Sequence, residues 1–298
     1  MALAYWVLND IKSLKNFLHS MLIILTFIIF DTWWQFFFEQ DIFGFEKFSP
    51  NRLTGPFEGH AYVGAWIAKL MMIPTLLLIF YDKVNIHNYR IRNTFLFFMI
   101  STLLFLSVFI TGERMALLLT IACIVILFLG LSLSKAISLQ KTALLLTFSV
   151  SIITLFAYFF PDITQRSFFS TIEKILNWKT SDYALVWQSA YDVWMESPLF
   201  GAGLHKYRDA CHNLGTYGSN YLDPAGNGIC FHPHNISLQL LSETGLIGLV
   251  FLLLAYIVLI KNFFTSQSNL EKTLLLSIFL YLFPLLPSGY FFNNYYSI

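Results

Sequence analysis

Charged side chains are what this sequence most lacks. They make up 12% of its 298 residues, against roughly 25% in a soluble domain. That deficit excludes a chain solvated by water over most of its length. No polybasic run occurs and the net charge is only +1, which argues against nucleic acid as a partner. Cysteine is scarce too. There are three, with no C-x2-C pair, so the common zinc spacings are missing. No internal repeat or low-complexity tract occurs. The apolar start, 2–8, is interrupted by Asp10 and Lys12 with no small-residue cleavage site after it. No cleavable signal peptide is therefore predicted at Met1.

What is abundant is apolar bulk. Hydrophobic residues are 57% of the chain, 32 of them Phe and 15 Tyr, and the mean hydropathy is +0.64. Phe fills lipid-facing positions, and Tyr anchors at the membrane interface. A helix needs roughly 20 apolar residues to cross the hydrocarbon core. The stretches 18–38, 62–81, 93–110, 115–133, 142–160, 237–260 and 273–287 come near that length, giving about seven spans. The sequence thus predicts an all-α, polytopic integral membrane protein, with 1–298 as one membrane domain. An extracytoplasmic helical loop region, 161–236, is inserted in it.

Charge orients the bundle. Lys12, Lys15, Lys83, Arg90, Arg92, Lys135, Lys141, Lys261 and Lys272 fall in alternate segments, nine in all, against Lys47, Arg52 and Arg114 in the opposite short loops. Cytoplasmic loops are the basic ones. The N-terminus is therefore predicted inside, and 39–61, 111–114, 161–236 and 288–298 outside. The region 161–236 reads as two short helices and a long loop. Its helix over 182–196 carries Trp187, Tyr191 and Trp194 at i, i+4 and i+7. That face either packs on the bundle or lies in the headgroup region.

Ionisable residues at membrane depth are expensive and become functional candidates. Lys69 lies inside the second span, where it either snorkels or serves a ligand. Arg114 follows the short Thr111-Gly112-Glu113 turn. It is an interface anchor, a partner of Glu113, or a fork for phosphate. The densest constellation is Cys230-Phe231-His232-Pro233-His234-Asn235. A histidine there can take a proton from a hydroxyl or bind metal, or simply lie at the start of the next helix. Asn235 suits the N-cap of that helix on any of these readings. Cys211, His212, Cys230, His232 and His234 have poor spacing for a zinc set, and no metal is expected.

His234-Asn235, followed after nine residues by Gly245-Leu246-Ile247-Gly248, resembles the motif of the O-antigen ligase and polymerase superfamily. The run from His232 to Val250 is closest to polymerase-type members. Asn51-Arg52-Leu53-Thr54-Gly55-Pro56-Phe57, Ile110-Thr111-Gly112-Glu113-Arg114 and Pro198-Leu199-Phe200-Gly201-Ala202-Gly203 resemble further family segments in family order. The resemblance covers the chain from about Asp31 onward. It implies a metal-independent membrane glycosyltransferase of cell-surface polysaccharide biosynthesis, without a cofactor. It also implies a bacterial inner-membrane location with the active site facing the periplasm. The donor would be an undecaprenyl-diphosphate-linked glycan, and the acceptor a lipid-linked repeat unit or lipid A–core.

The matched His234 would activate the acceptor hydroxyl. Arg114 and Arg52 would hold the donor diphosphate, with Lys69, His232, Asn235 and Arg208 as further substrate contacts. One departure stands out. Many members carry an Arg four residues before the Trp of the amphipathic helix, where this chain has Tyr183, so Arg208 or Lys206 becomes the substitute. The family also has more spans, and 287–294 reads as leading into more chain. A fragment or a short form is therefore expected.

Cys211 and Cys230, in the loop expected outside, are predicted to form a disulfide in an oxidising periplasm. Two free thiols or a zinc site are the alternatives. Two other function classes compete with the glycosyltransferase. A small-solute or ion transporter would show inverted repeats or matched Gly/Pro-broken spans, and the sequence shows neither. A non-catalytic membrane scaffold would transfer no glycan.

Overall fold

The computed structural model describes residues 11–71, 91–133, 139–214, 230 and 233–266, with Lys272, Leu275, Leu276, Ile278, Phe279 and Leu282. The latter half of the span expected at 62–81, most of 273–287, and His232 lie outside the described residues. Among those described, the regular elements are helices: α1 Ile11–Phe38, α2 Val63–Leu70, α3 Ile91–Ile110, α4 Arg114–Leu133, α5 Leu139–Phe159, α6 Pro161–Thr164, α7 Ser170–Leu176, α8 Asp182–Glu196, α9 Tyr207–Asn213 and α10 Ile236–Thr265. The chain divides into two compact units, Met1–Thr171 and Ile172–Ile298.

The helices are apolar on their outsides as well as their insides. Ile23 is 70% exposed, Phe251 69% and Phe264 76%. Such surfaces are stable only against lipid or another apolar face. Among the described residues, Lys12–Phe38 and Ile236–Thr265 are long and apolar enough to cross a membrane. A third span results if Leu146–Phe159 and Pro161–Leu176, bent by 110° at their junction, are taken as one. Pro161 forces that bend, because it cannot donate to the preceding turn. Phe98–Ile110 and Arg114–Val125 are shorter apolar helices.

Hydroxyls and aromatics join the helices of the first unit. Thr102 Oγ1 bonds its own helix at the Phe98 carbonyl (2.9 Å) and crosses to Ser149 Oγ at 2.8 Å. Trp33 Nε1 donates to Ser107 Oγ at 2.9 Å. In lipid, where no water competes, such bonds hold helices together. Phe156 stands in the middle of an aromatic group, 4.5 Å from Phe160, 5.9 Å from Trp33 and 6.0 Å from Phe109 between ring centres.

The region after residue 161 has more helix than expected. It holds α6, a π turn over Gln165–Phe169, α7, α8 and α9, where the sequence suggested two short helices. The packing stripe of α8 also differs. Val186, Ser189, Ala190 and Val193 are buried, whereas Tyr191 is 44% exposed. These four small or branched side chains follow the same i, i+3, i+4, i+7 rule, and they let a neighbour approach closely. The bulkier Trp187, Tyr191 and Trp194 lie off the stripe.

One long helix is broken at a glycine. Gly245 interrupts α10 with φ 66° and ψ −160°. The break is stabilised from outside. Leu246 N–H donates to the Pro198 carbonyl at 2.9 Å, Ala202 N–H to Ser242 at 2.8 Å and Gly203 N–H to Glu243 at 2.9 Å. A Cβ on Gly245 would fall on the Leu199 carbonyl group, and one on Gly201 on the backbone of Glu243 and Thr244. The two glycine motifs are thus the two sides of one backbone-to-backbone clamp.

Candidate functional site

In the first unit, four separated segments build a cluster of cations, Arg52, Lys69, Arg114 and Arg166. The loop 39–57 is shaped from beneath by α1. Asp31 Oδ1 accepts the Ile42 N–H (2.9 Å), and Asp41 Oδ1 accepts the N–H groups of Phe43 and Phe45. Gln35, fully buried, spends its whole amide on the loop. Its Oε1 accepts from Thr54 and Gly55 N–H at 3.0 and 2.9 Å, and its Nε2 donates to Thr54 Oγ1 and the Phe45 carbonyl at 2.8 and 3.1 Å. Leu53 N–H then donates to Thr111 O at 3.2 Å. The segment containing Arg52 is thereby tied to the turn before Arg114. Gly112 makes the approach possible, since it sits at φ 68° and a Cβ would fall on the Asn51 carbonyl oxygen.

Glu113 links this turn to α2. No side chain caps α2 from Tyr62. Instead the Glu113 carboxylate accepts from Gly64 N–H at 2.7 Å and Ala65 N–H at 3.1 Å. Those are first-turn donors that a helix cannot satisfy itself. Burial pushes the Glu113 carboxyl up from 4.5 to about 7; the two N–H bonds and the charges of Arg52 and Lys69 act against that rise without cancelling it. Such a carboxyl, raised in the fold, contributes stability that is complete below pH 4.5 and is lost as pH rises through about 7. Glu113→Gln cannot titrate. Between pH 5.5 and 8 the wild-type melting temperature should therefore fall more than that of Glu113→Gln. Parallel curves for the two proteins would refute the assignment.

The cations around Glu113 outnumber it. Arg52 Nη2 donates to the Ala61 carbonyl at 3.0 Å, and its guanidinium lies 4.9 Å from the centre of the Phe48 ring. Lys69 is in the last turn of α2. Arg114 does not pair with Glu113; its Nε donates to the Arg166 carbonyl at 3.3 Å, while Arg166 Nε donates to the Gly112 carbonyl at 3.1 Å. Among the described residues neither Arg52 nor Arg114 has an ion pair. Sequence reasoning missed Arg166. The available signal was an arginine six residues after the end of a span, obscured because long outer loops carry little weight in a charge count. Positive charge in excess, at the edge of a low-dielectric region, favours an anionic ligand.

The second unit holds the histidine. Pro233 and Asn235 are buried and His234 half-buried between them. Asn235 caps α10, its Oδ1 accepting from Leu238 N–H at 3.0 Å. His234 itself is left-handed at φ 52°, a conformation that L-residues other than Gly rarely hold without support. The cap on one side and the buried proline on the other supply it. The ring meets Tyr183 edge-to-face, 6.0 Å between centres.

A disulfide anchors the approach to His234. Cys211 and Cys230 are bonded, their Cα atoms 5.7 Å apart. Both are buried with Ala190, Val193 and Tyr207. Tyr207 bonds Ser189 Oγ at 2.7 Å, and burial pushes its hydroxyl up to about 12. This core fastens residue 230 to α8 and α9. With both sulfurs in the bond, neither is a zinc ligand. Among the described residues no three His, Cys, Asp or Glu side chains group as a metal site. A thiol count on denatured, non-reduced protein should give one, from Cys123; three would contradict the bond.

Of the two expected substitutes for the missing arginine, Lys206 is engaged with Asp209 at 3.0 Å. Arg208 is exposed on α9. Glu243 is fully buried beside the Gly245 break and accepts the His205 N–H at 3.2 Å.

Helices with apolar outer faces define a helical membrane protein, with a cation cluster in its first unit and a helix-start histidine in its second. The chain belongs to the O-antigen ligase family, whose model matches residues 96–253, more than half of its length. The matched stretch includes Arg114, Arg166, Arg208, His234 and the glycine clamp. No curated protein and no solved structure matches the chain. Membership carries a glycan ligase or polymerase role of the membrane glycosyltransferase type, with a lipid-linked glycan substrate and a glycan acceptor.

Proposed function

We propose that this protein transfers an undecaprenyl-diphosphate-linked oligosaccharide to a glycan hydroxyl, as a polymerase or ligase of cell-surface polysaccharide. The acceptor is a lipid-linked repeat unit or lipid A–core. The observation that carries the reading is the guanidinium of Arg114, which among the described residues bonds a carbonyl and no carboxylate, in a cluster where Arg52, Lys69, Arg114 and Arg166 outnumber Glu113. In the reaction the acceptor oxygen attacks the anomeric carbon. The His234 imidazole takes the hydroxyl proton. The bond from that carbon to the diphosphate oxygen breaks, and undecaprenyl diphosphate leaves with its electron pair. Negative charge grows on the leaving group, and fixed guanidinium groups stabilise it without reorganising. His232, Asn235 and Arg208 are assigned to the glycan side. Attack opposite the leaving group inverts the anomeric centre, and no metal is required for any step.

The same reading puts about seven spans in the bacterial inner membrane, with the N-terminus in the cytoplasm and 161–236 in the periplasm. The nine-to-three distribution of Lys and Arg between alternate segments supports it. Single cysteines introduced at Ser138 and Ser219 test it. A membrane-impermeant thiol reagent should label position 219 and spare 138, and the reverse pattern would overturn the orientation. The function is tested with the full chain in proteoliposomes, given lipid-linked oligosaccharide from the producing cell. Elongated or transferred glycan is expected, and its absence with folded protein would favour a scaffold or transporter.

A further inference from the structure

Tyr183 occupies the position where many relatives carry an arginine, and the structure gives that position different chemistry. Tyr183 meets His234 edge-to-face at 6.0 Å. On its other side it lies parallel to Trp178, the ring planes 1° apart and the centres 6.5 Å apart. Trp187 abuts Trp178 edge-on at 4.7 Å, which holds the indole in place. Trp178 itself is 37% exposed, on the 3-10 turn Trp178–Thr180 between α7 and α8. The result is an aromatic shelf that starts at the proposed base and ends at a partly exposed indole.

An aromatic face carries negative electrostatic potential, so it does not attract a diphosphate as an arginine would. It suits a neutral ligand whose flat side is lined with C–H groups while its rim is polar. A pyranose ring is such a ligand. We propose that Trp178 and Tyr183 form an acceptor-sugar subsite, on which the sugar next to the reacting hydroxyl stacks while that hydroxyl reaches His234. The proposal rests on the glycan-transfer reading and deepens it. This shelf binds the acceptor through uncharged contacts.

The fixed spacing of the shelf also has a consequence for selectivity. Stacking rewards sugars that present an unbroken C–H face and disfavours those with an axial hydroxyl on it. The shelf therefore discriminates among acceptors by ring stereochemistry, without a charged contact.

The experiment uses the full chain in proteoliposomes as wild type, Trp178→Ala and Trp178→Phe. The acceptor probe is the repeat-unit oligosaccharide released by mild acid from the producing cell's lipid-linked pool, with labelled lipid-linked donor supplied separately. Trp178→Ala should raise the acceptor KM about tenfold, the scale of one aromatic contact, with kcat and donor KM nearly unchanged. Trp178→Phe keeps a face and should stay near wild type, which shows that the site still folds. An unchanged acceptor KM in Trp178→Ala would overturn the proposal, leaving the aromatics as anchors in the headgroup region. A rise confined to the donor KM would also overturn it. The same oligosaccharide is titrated while tryptophan fluorescence is followed. A saturable change present in wild type and lost in Trp178→Ala supports the shelf even if wild type transfers nothing, in which case only the glycan-transfer reading fails. No saturable change in wild type counts against the shelf.

Discussion

Replacing His234 by alanine should lower glycan transfer by about 10²–10⁴-fold, the usual range for removal of a general base, and leave the protein folded in the membrane. The folding part of this expectation follows from the helix start. Asn235 caps α10 with its own side chain, and the Gly245 clamp uses backbone groups only, so neither depends on the imidazole. The backbone at 234 is already left-handed, and alanine there bears the strain of any non-glycine residue. The measurement is transfer rate at saturating donor and acceptor, together with the melting temperature of the purified protein. Near-normal transfer would reduce His234 to a structural residue at the helix start. A collapsed melting temperature would be resolved with His234→Asn, since asparagine tolerates the left-handed region and is no proton acceptor at neutral pH. That variant should fold and remain inactive.

Arg114→Lys should cost about 10²-fold in kcat, on the scale of losing one fixed donor to a developing anion. Lysine keeps the charge. It loses the planar fork, and with it the ability to donate twice in one plane to a phosphate while also bonding a carbonyl. In the structure the Arg114 Nε is committed to the Arg166 carbonyl. That bond aims the other two guanidinium nitrogens. An ammonium has no equivalent division of labour. Because the charge to be stabilised grows as the sugar–diphosphate bond breaks, kcat should fall along with kcat/KM. Wild-type kinetics in the lysine variant would mean that Arg114 anchors the helix at the interface and nothing more. Arg166→Lys makes a second test of the same geometry, as its Nε holds the Gly112 carbonyl and it should weaken the effect of Arg114.

Much of this molecule was legible in its residues. The shortage of charge pointed to a chain solvated by lipid, and apolar runs of roughly 20 residues pointed to helices as the elements that satisfy the backbone there. Local spacing decided the start of α10, because an N-cap acts over three residues and Asn235 carries its own acceptor. The glycines at 201, 203 and 245 stood out only as parts of family-like motifs. What spacing could not reveal is which distant segment each one meets. Glu113 caps α2 from 49 residues away, and Gln35 holds a loop 19 and 20 residues further on. The backbones of 198–203 and 242–246 bond to each other. Tyr183 read as a lost arginine until the fold brought it to His234. Composition and period record the environment a residue needs, water or lipid, helix or turn. The partner that satisfies a buried donor or faces a ring depends on where the chain returns, and only the tertiary structure decides that.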